Sequence, residues 1–189
     1  LAICDLLVQL MGGKIKVESS QLGTNFTYKI PYKIAKKRVL ENKNLASPIK
    51  ELRILMAEDD QLNGQLFRDL IQNTGNNVTV DWVVNGEKVL EKVVSKHYDI
   101  ILMDIEMPIK NGFETSSEIR KSDNTKINNI PIIAMTAHLV EDVLERCYQN
   151  GMNDCISKPF QIEILYKKIS ETIKNIDLGK SITSNNKAK

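Results

Sequence analysis

Residues 52–60, LRILMAEDD, and residues 99–108, DIILMDIEMP, share one pattern: a short aliphatic run that ends in carboxylates. Such runs, bounded by polar residues, read as strands covered on both faces, because a half-buried strand would alternate apolar with polar. Working outward, comparable runs recur as NVTVDWVV (77–84), IPIIAMT (130–136) and DCIS (154–157). Amphipathic helical patterns lie between them, near 61–73, 86–96, 112–121 and 139–149, with a last one at 160–174. Repeated β-then-α units over residues 51–175 predict an α/β fold, a doubly wound five-stranded parallel sheet.

The flanks read differently. Leu1, Ile3, Leu6, Leu7 and Leu10 recur at helical spacing until Gly12-Gly13, which stops the helix. KIKVES and GTNFTYKIP then alternate as two strands of a hairpin, ended by Pro31. Residues 1–31 are thus a helix and a hairpin, too small to bury a core alone. Residues 32–50 are basic and aperiodic and read as a linker, with room for a short helix through Ala35 to Leu40. Residues 176–189 are rich in Ser, Asn and Lys and read as a flexible tail. The opening on Leu1 suggests a piece of a longer protein.

Composition narrows the function. No apolar run approaches the ~18 residues of a membrane span, and no secretory leader is apparent. Cys4, Cys147 and Cys155 are odd in number and lack CxxC spacing, which argues against a disulfide framework or zinc site and suggests reduced thiols in the cytoplasm. His97 and His138 are too isolated for a metal cluster. The net charge of +2 hides an asymmetry. Residues 1–50 carry nine Lys/Arg against three Asp/Glu, whereas residues 51–175 carry fourteen against twenty. The predicted folded domain is therefore acidic, which argues against nucleic-acid binding and fits a cation site.

In an open α/β sheet, ligands bind at the carboxyl ends of the strands. Those ends carry Glu58-Asp59-Asp60, Asp104, Thr136 and Lys158-Pro159. Clustered carboxylates repel, and a hard cation with oxygen ligands relieves the repulsion. A lysine can pair with a phosphate oxygen, a hydroxyl can donate to another, and a carboxylate beside them can attack phosphorus in line. Each residue also has a plain structural reading. Asp60 suits the first turn of a helix, Thr136 suits an N-cap, and Lys158 suits a solvated surface. Four strand ends in acid, acid, hydroxyl, ammonium order are harder to explain that way together.

The segments ILMAEDDQLN, DIILMDIEMP, PIIAMTAH and DCISKPF resemble, in order and spacing, the signatures of two-component response-regulator receiver domains across residues 51–174. The resemblance implies a flavodoxin-like sheet of order 2-1-3-4-5 and Mg²⁺ as cofactor. It makes Asp104 the phosphoacceptor. Asp59, Asp104 and the Glu106 backbone carbonyl would ligate the metal, with Glu58 acting through water. Lys158 would contact the phosphoryl group, and Thr136 would move toward it as a switch. Glu106 and His138 would flank the path of hydrolytic water and modulate phosphoryl lifetime. It also implies a cis Lys158–Pro159 bond. One departure concerns the switch: Cys155 stands where an aromatic residue is common.

LAICDLLVQLMGG followed by GTNFTYKIP resembles the end of a histidine-kinase ATP-binding domain, without its Asn-bearing helix or lid glycines. The order of parts resembles a hybrid sensor histidine kinase. The expected partners are a kinase's dimerisation and phosphotransfer helices and a histidine phosphotransfer domain; ATP, nucleic acid and membrane contacts are not expected of this piece. The competing readings are a non-phosphorylated pseudo-receiver, an Asp-nucleophile phosphatase and a transcription factor. The intact site weighs against the first, and the position of Asp104 after the third strand weighs against the second. About fourteen residues after the last helix are too few for a DNA-binding domain.

Overall fold

The computed structural model describes residues 2–21, 23–32, 51–72 and 77–177. The chain divides into two compact units, Leu1–Ala46 and Ser47–Lys189. The expected linker, short helix and tail fall almost wholly on residues 33–50 and 178–189, outside the described residues.

In the first unit, helix α1 (Ala2–Leu10) stops where Gly12 takes φ +73° and Gly13 N–H donates to the Val8 carbonyl at 2.8 Å. Left-handed closure of this kind is inexpensive for glycine. Strands β1 (Lys14–Ser20) and β2 (Gly23–Lys29) pair antiparallel, with Val17 opposite Phe26. Ile3, Leu6, Leu7 and Leu10 of α1 are all exposed, as are Phe26 and Tyr28 of the hairpin.

The second unit runs β3 (Leu52–Ala57), α2 (Gln61–Gln72), β4 (Val78–Val83), α3 (Gly86–Ser95), β5 (Ile100–Asp104), α4 (Gly112–Arg120), α5 (Thr125–Asn128), β6 (Ile132–Thr136), α6 (Glu141–Gln149), β7 (Asp154–Ser157) and α7 (Ile162–Asp177). The strands form one parallel sheet in the order β4-β3-β5-β6-β7, which is 2-1-3-4-5 within the unit. Alternate residues of each strand feed opposite faces. Leu55, Ala57, Ile101, Met103 and Ala134 pack with Val89 of α3, Ile119 of α4 and Cys147 of α6. Ile54, Met56, Leu102, Ile133 and Met135 pack with Phe67 of α2 and Leu165 and Ile169 of α7. The near-continuous apolar runs are thus explained: both faces are roofed by helices.

Three details differ from the sequence reading. Helix α7 spans Ile162–Asp177 rather than 160–174, so its last two residues fall where the sequence predicts the tail. Residues 125–128 form a helical turn that periodicity did not announce, because one turn is too short to display a period. Its start is fixed by Asn124, whose side chain accepts the Lys126 N–H. Strand β6 begins at Ile132 rather than Ile130, after Pro131. There the Ile132 N–H is taken by the Asn153 side chain at 2.8 Å.

Candidate functional site

The carboxyl edge of the sheet collects the polar strand ends. Glu58 and Asp59 follow β3, Asp104 closes β5, and Lys158 follows β7. Carboxylate oxygens of Glu58, Asp59 and Asp104 all lie within 4.8 Å of one another. Lys158 Nζ lies 2.6 Å from Glu58 Oε2 and 2.6 Å from Asp104 Oδ2. The Lys158 backbone N–H donates to the Thr136 carbonyl at 2.7 Å, which ties the lysine loop to β6. The Lys158–Pro159 bond is cis, as the resemblance implies.

Glu58 and Asp104 are buried, whereas Asp59 is exposed at the mouth. Burial pushes both buried carboxyls above their ordinary range, and the Lys158 ammonium only partly offsets it. Burial also works against the charged Lys158, but its hydrogen bonds to Asp104 and Glu58 push it up overall. Three carboxylates against one ammonium leave an excess of negative charge on hard oxygen donors. That donor set fits a divalent cation such as Mg²⁺.

Thr136 closes β6, and His138 lies two residues on in the loop that follows. The Thr136 hydroxyl lies 3.2 Å from both the backbone nitrogen and the carbonyl oxygen of His138. The hydroxyl is thus engaged within its own loop, and the His138 and Glu106 side chains are exposed. The Glu106 backbone N–H donates to Asp104 Oδ1 at 3.3 Å. Asp60 has the structural role open to it in the sequence: its carboxylate accepts the Asn63 N–H at 2.8 Å and caps α2. Cys155 is buried beside Cys147 in the face covered by α3, α4 and α6. Its hydrogen bond, with burial, pushes the Cys147 thiol up.

Other neighbours were not legible as site residues. Trp82 Nε1 donates to the Glu58 carbonyl at 2.8 Å, so the ring braces the acidic turn from β4. Asn63 Nδ2 lies 3.4 Å from Glu58 Oε1. Beside the carboxylates opens a cleft of about 580 Å³, lined by Asp59, Glu106, Met107, Asn111, Phe113 and Arg146. Arg146 stacks on Phe113 at 4.4 Å. Asp59 and Glu106 were named from the sequence; only knowledge of which strands and helices adjoin could have singled out Trp82, Asn63, Met107, Asn111, Phe113 and Arg146.

A doubly wound parallel sheet with three carboxylates and a lysine at its carboxyl edge defines an α/β domain with an acidic, cation-type pocket. Residues 54–170, more than half of the chain, match the response regulator receiver domain, and the chain belongs to that family. Similar proteins include hybrid signal transduction histidine kinase K of Dictyostelium discoideum, 33% identical over 187 residues, covering 93% of this chain and 15% of that protein. The aerobic respiration control sensor protein ArcB of Escherichia coli is 32% identical over 176 residues, covering 90% of this chain and 22% of that protein. The chain thus spans less than a quarter of the length of these relatives. Among solved structures, the receiver domain of a Pseudomonas aeruginosa sensor histidine kinase is 31% identical, with a TM-score of 0.59. It covers 66% of this chain and 98% of that one, and it holds a magnesium ion in its active site cleft. A Francisella response regulator receiver, 23% identical with a TM-score of 0.59, shares the fold over 67% of this chain and 99% of its own.

Proposed function

We propose that the second unit accepts a phosphoryl group from a phosphohistidine onto Asp104, with Mg²⁺ bound, and passes it to a histidine phosphotransfer protein. The observation that carries this reading is Lys158 held 2.6 Å from both Asp104 and Glu58, beside Asp59. Asp59, Asp104 and the Glu106 carbonyl would hold the metal, with Glu58 acting through water. The metal supplies charge neutralisation at the phosphoryl oxygens. An Asp104 carboxylate oxygen attacks phosphorus in line. The O–P bond forms as the N–P bond breaks, and the protonated donor ring leaves as neutral imidazole. Lys158 is placed to exchange a carboxylate partner for a phosphoryl oxygen. Thr136 would give up its own-loop bond to follow, and Cys155 replaces the aromatic partner of that switch with a small side chain. Glu106 and His138 flank the water path; decay rates of the phosphorylated Ala variants across neutral pH check this. The exposed row Leu62, Leu66 and Leu70 on α2 suits an apolar helical partner.

The first unit is read as the end of a histidine-kinase ATP-binding domain. Support comes from the alignment with kinase K, which runs over 93% of the chain, and from the exposed apolar face of α1. On this reading a helix and a hairpin form no nucleotide pocket, and ATP binding by this unit alone is not expected. Among the described residues no helix is long and apolar enough to cross a membrane. The hybrid-kinase reading itself implies a cytoplasmic setting, whether the parent is free or a membrane-bound sensor. Incubation with Mg²⁺ and acetyl phosphate, followed by intact mass, tests the main claim. A base-labile phosphoryl adduct is expected, and its absence would favour a non-phosphorylated binding module.

A further inference from the structure

The acidic turn after β3 is tied to the neighbouring strand through both backbone groups of one residue. Strand β4 lies beside β3 with Trp82 opposite Met56 and Val83 opposite Ala57. Just past that ladder, the Glu58 N–H donates to the Val83 carbonyl at 3.0 Å. The Glu58 carbonyl accepts the Trp82 Nε1–H at 2.8 Å. That N–H is the one polar group of the ring. The ring reaches the turn because α2 leaves room for it. A Cβ added to Gly64 would lie 2.3 Å from Trp82 Cε2 and 2.6 Å from Nε1, so a larger residue there would drive the ring from its place. Glycine inside a helix is unfavourable on its own account, and here the indole fills the space it leaves.

A peptide unit is planar, so fixing the Glu58 carbonyl fixes the Asp59 nitrogen with it. The Asp59 side chain departs from the next atom of the chain. Lys158 holds the carboxylates of Glu58 and Asp104. Among the described residues no hydrogen bond or ion pair holds that of Asp59, so its direction comes from the backbone that carries it.

We propose that Trp82 is a positioning residue for metal binding: its indole N–H fixes the peptide between Glu58 and Asp59 and so aims the Asp59 carboxylate at the cation. This rests on the Mg²⁺ reading above. Without the N–H the peptide is free to tilt, and Asp59 must be ordered when the metal binds, which weakens affinity. Asp104 and Lys158 stay where they are, so the metal-loaded pocket keeps its chemistry.

The test uses the 189-residue chain, whose single tryptophan lets an analogue enter at residue 82 alone. Trp82→benzothienylalanine keeps the ring's shape beside Gly64 and puts sulfur in place of the N–H. Trp82→Phe removes the N–H together with one ring. Trp82→fluorotryptophan keeps both the ring and the N–H. Mg²⁺ affinity is read from the rise of the melting temperature with Mg²⁺ concentration, followed by circular dichroism. Labelling by acetyl phosphate at saturating Mg²⁺ is read by intact mass. The two replacements without an N–H should weaken Mg²⁺ binding by about fivefold. Their labelling rates at saturating Mg²⁺ should stay within about twofold of wild type, and the fluorotryptophan chain should match wild type in both readings. A benzothienylalanine chain that binds Mg²⁺ as wild type does would overturn the proposal whatever Trp82→Phe does, since packing alone would then account for the ring. Equal losses of affinity and of saturated rate would overturn it too, by showing a loosened pocket instead of a misdirected ligand. So would a loss in the fluorotryptophan chain as large as in the other two. A wild type whose melting temperature does not respond to Mg²⁺ would sink the metal reading itself, and the proposal with it.

Discussion

Lys158 and Arg120 are both drawn into the receiver unit, and they are held in opposite ways. Lys158 sits between Glu58 and Asp104, two carboxylates that burial makes reluctant to ionise. Arg120 is caged by neutral acceptors: the carbonyls of Asn128, Ile130 and Gly151 at 2.7–2.9 Å and Asn153 Oδ1 at 3.0 Å. Burial pulls Arg120 down to about 10, so it stays charged at neutral pH. The Lys158 partners are carboxylates, which on the proposed function a metal and a phosphoryl group would take over. The Arg120 partners are fixed dipoles that knit the end of α4, the turn at α5 and the loop before β7. One cation is placed for exchange, and the other for permanence.

The comparison breaks most visibly at Asp104. Asp104→Asn should abolish labelling by acetyl phosphate, because the amide is no nucleophile; labelling at the wild-type rate would move the phosphoacceptor elsewhere. The same variant should fold at least as stably as wild type in metal-free buffer, since it removes a carboxylate that burial disfavours. Arg120→Met should do the reverse. It leaves several carbonyls without a partner and should cost about 3 kcal/mol in urea unfolding. The folded fraction should still be labelled. A cost under about 0.5 kcal/mol, the range of an ordinary surface substitution, would show that the cage contributes little.

The pH dependence sharpens the contrast. Glu58 and Asp104 have native values above their unfolded ones, so the native state holds more protons between the two. Stability of the metal-free chain should therefore fall as pH rises from the unfolded carboxylate values, near 4, through the native ones. Glu58→Gln should flatten that slope, and saturating Mg²⁺ should too. Asp81 provides the opposite sign. Burial alone would raise it, but hydrogen bonds from Lys96 and Tyr98 lower it, so its contribution is present above its unfolded value and is lost on acidification below that. A metal-free stability curve that does not decline as pH rises from the unfolded carboxylate values would contradict the raised pair.

The smallest effects separate two adjacent acids. Asp59→Ala should weaken Mg²⁺ binding severalfold more than Asp60→Ala. Asp60→Ala should instead cost about 1 kcal/mol of stability through the lost cap. Trp82 emission reports the titration, because the indole is bonded to the Glu58 carbonyl. Equal metal affinities in the two variants would mean that the acidic turn presents the other carboxylate.

The same contrast explains what sequence reading reached. Glu58, Asp59, Asp104 and Lys158 were legible because each is a charged residue ending an apolar run, and a parallel sheet brings such ends to one edge. The Arg120 cage was not legible, since three of its acceptors are backbone carbonyls, which every residue type carries. The α5 turn was too short to show a period. Cys155 was visible as a departure at a switch position, but its burial beside Cys147 depends on how α6 covers β7. Trp82 reaches the acidic turn because β4 lies beside β3 in register, with Trp82 opposite Met56, a pairing that local sequence does not encode.

Of the three cysteines, Cys147 and Cys155 are buried and Cys4 is exposed on α1. A thiol-reactive dye will therefore attach to the first unit alone, while the single tryptophan lies in the second. Energy transfer from Trp82 to a fluorophore on Cys4 gives the unmodified sequence an internal ruler, able to follow the separation of its two units when Mg²⁺ or acetyl phosphate is added.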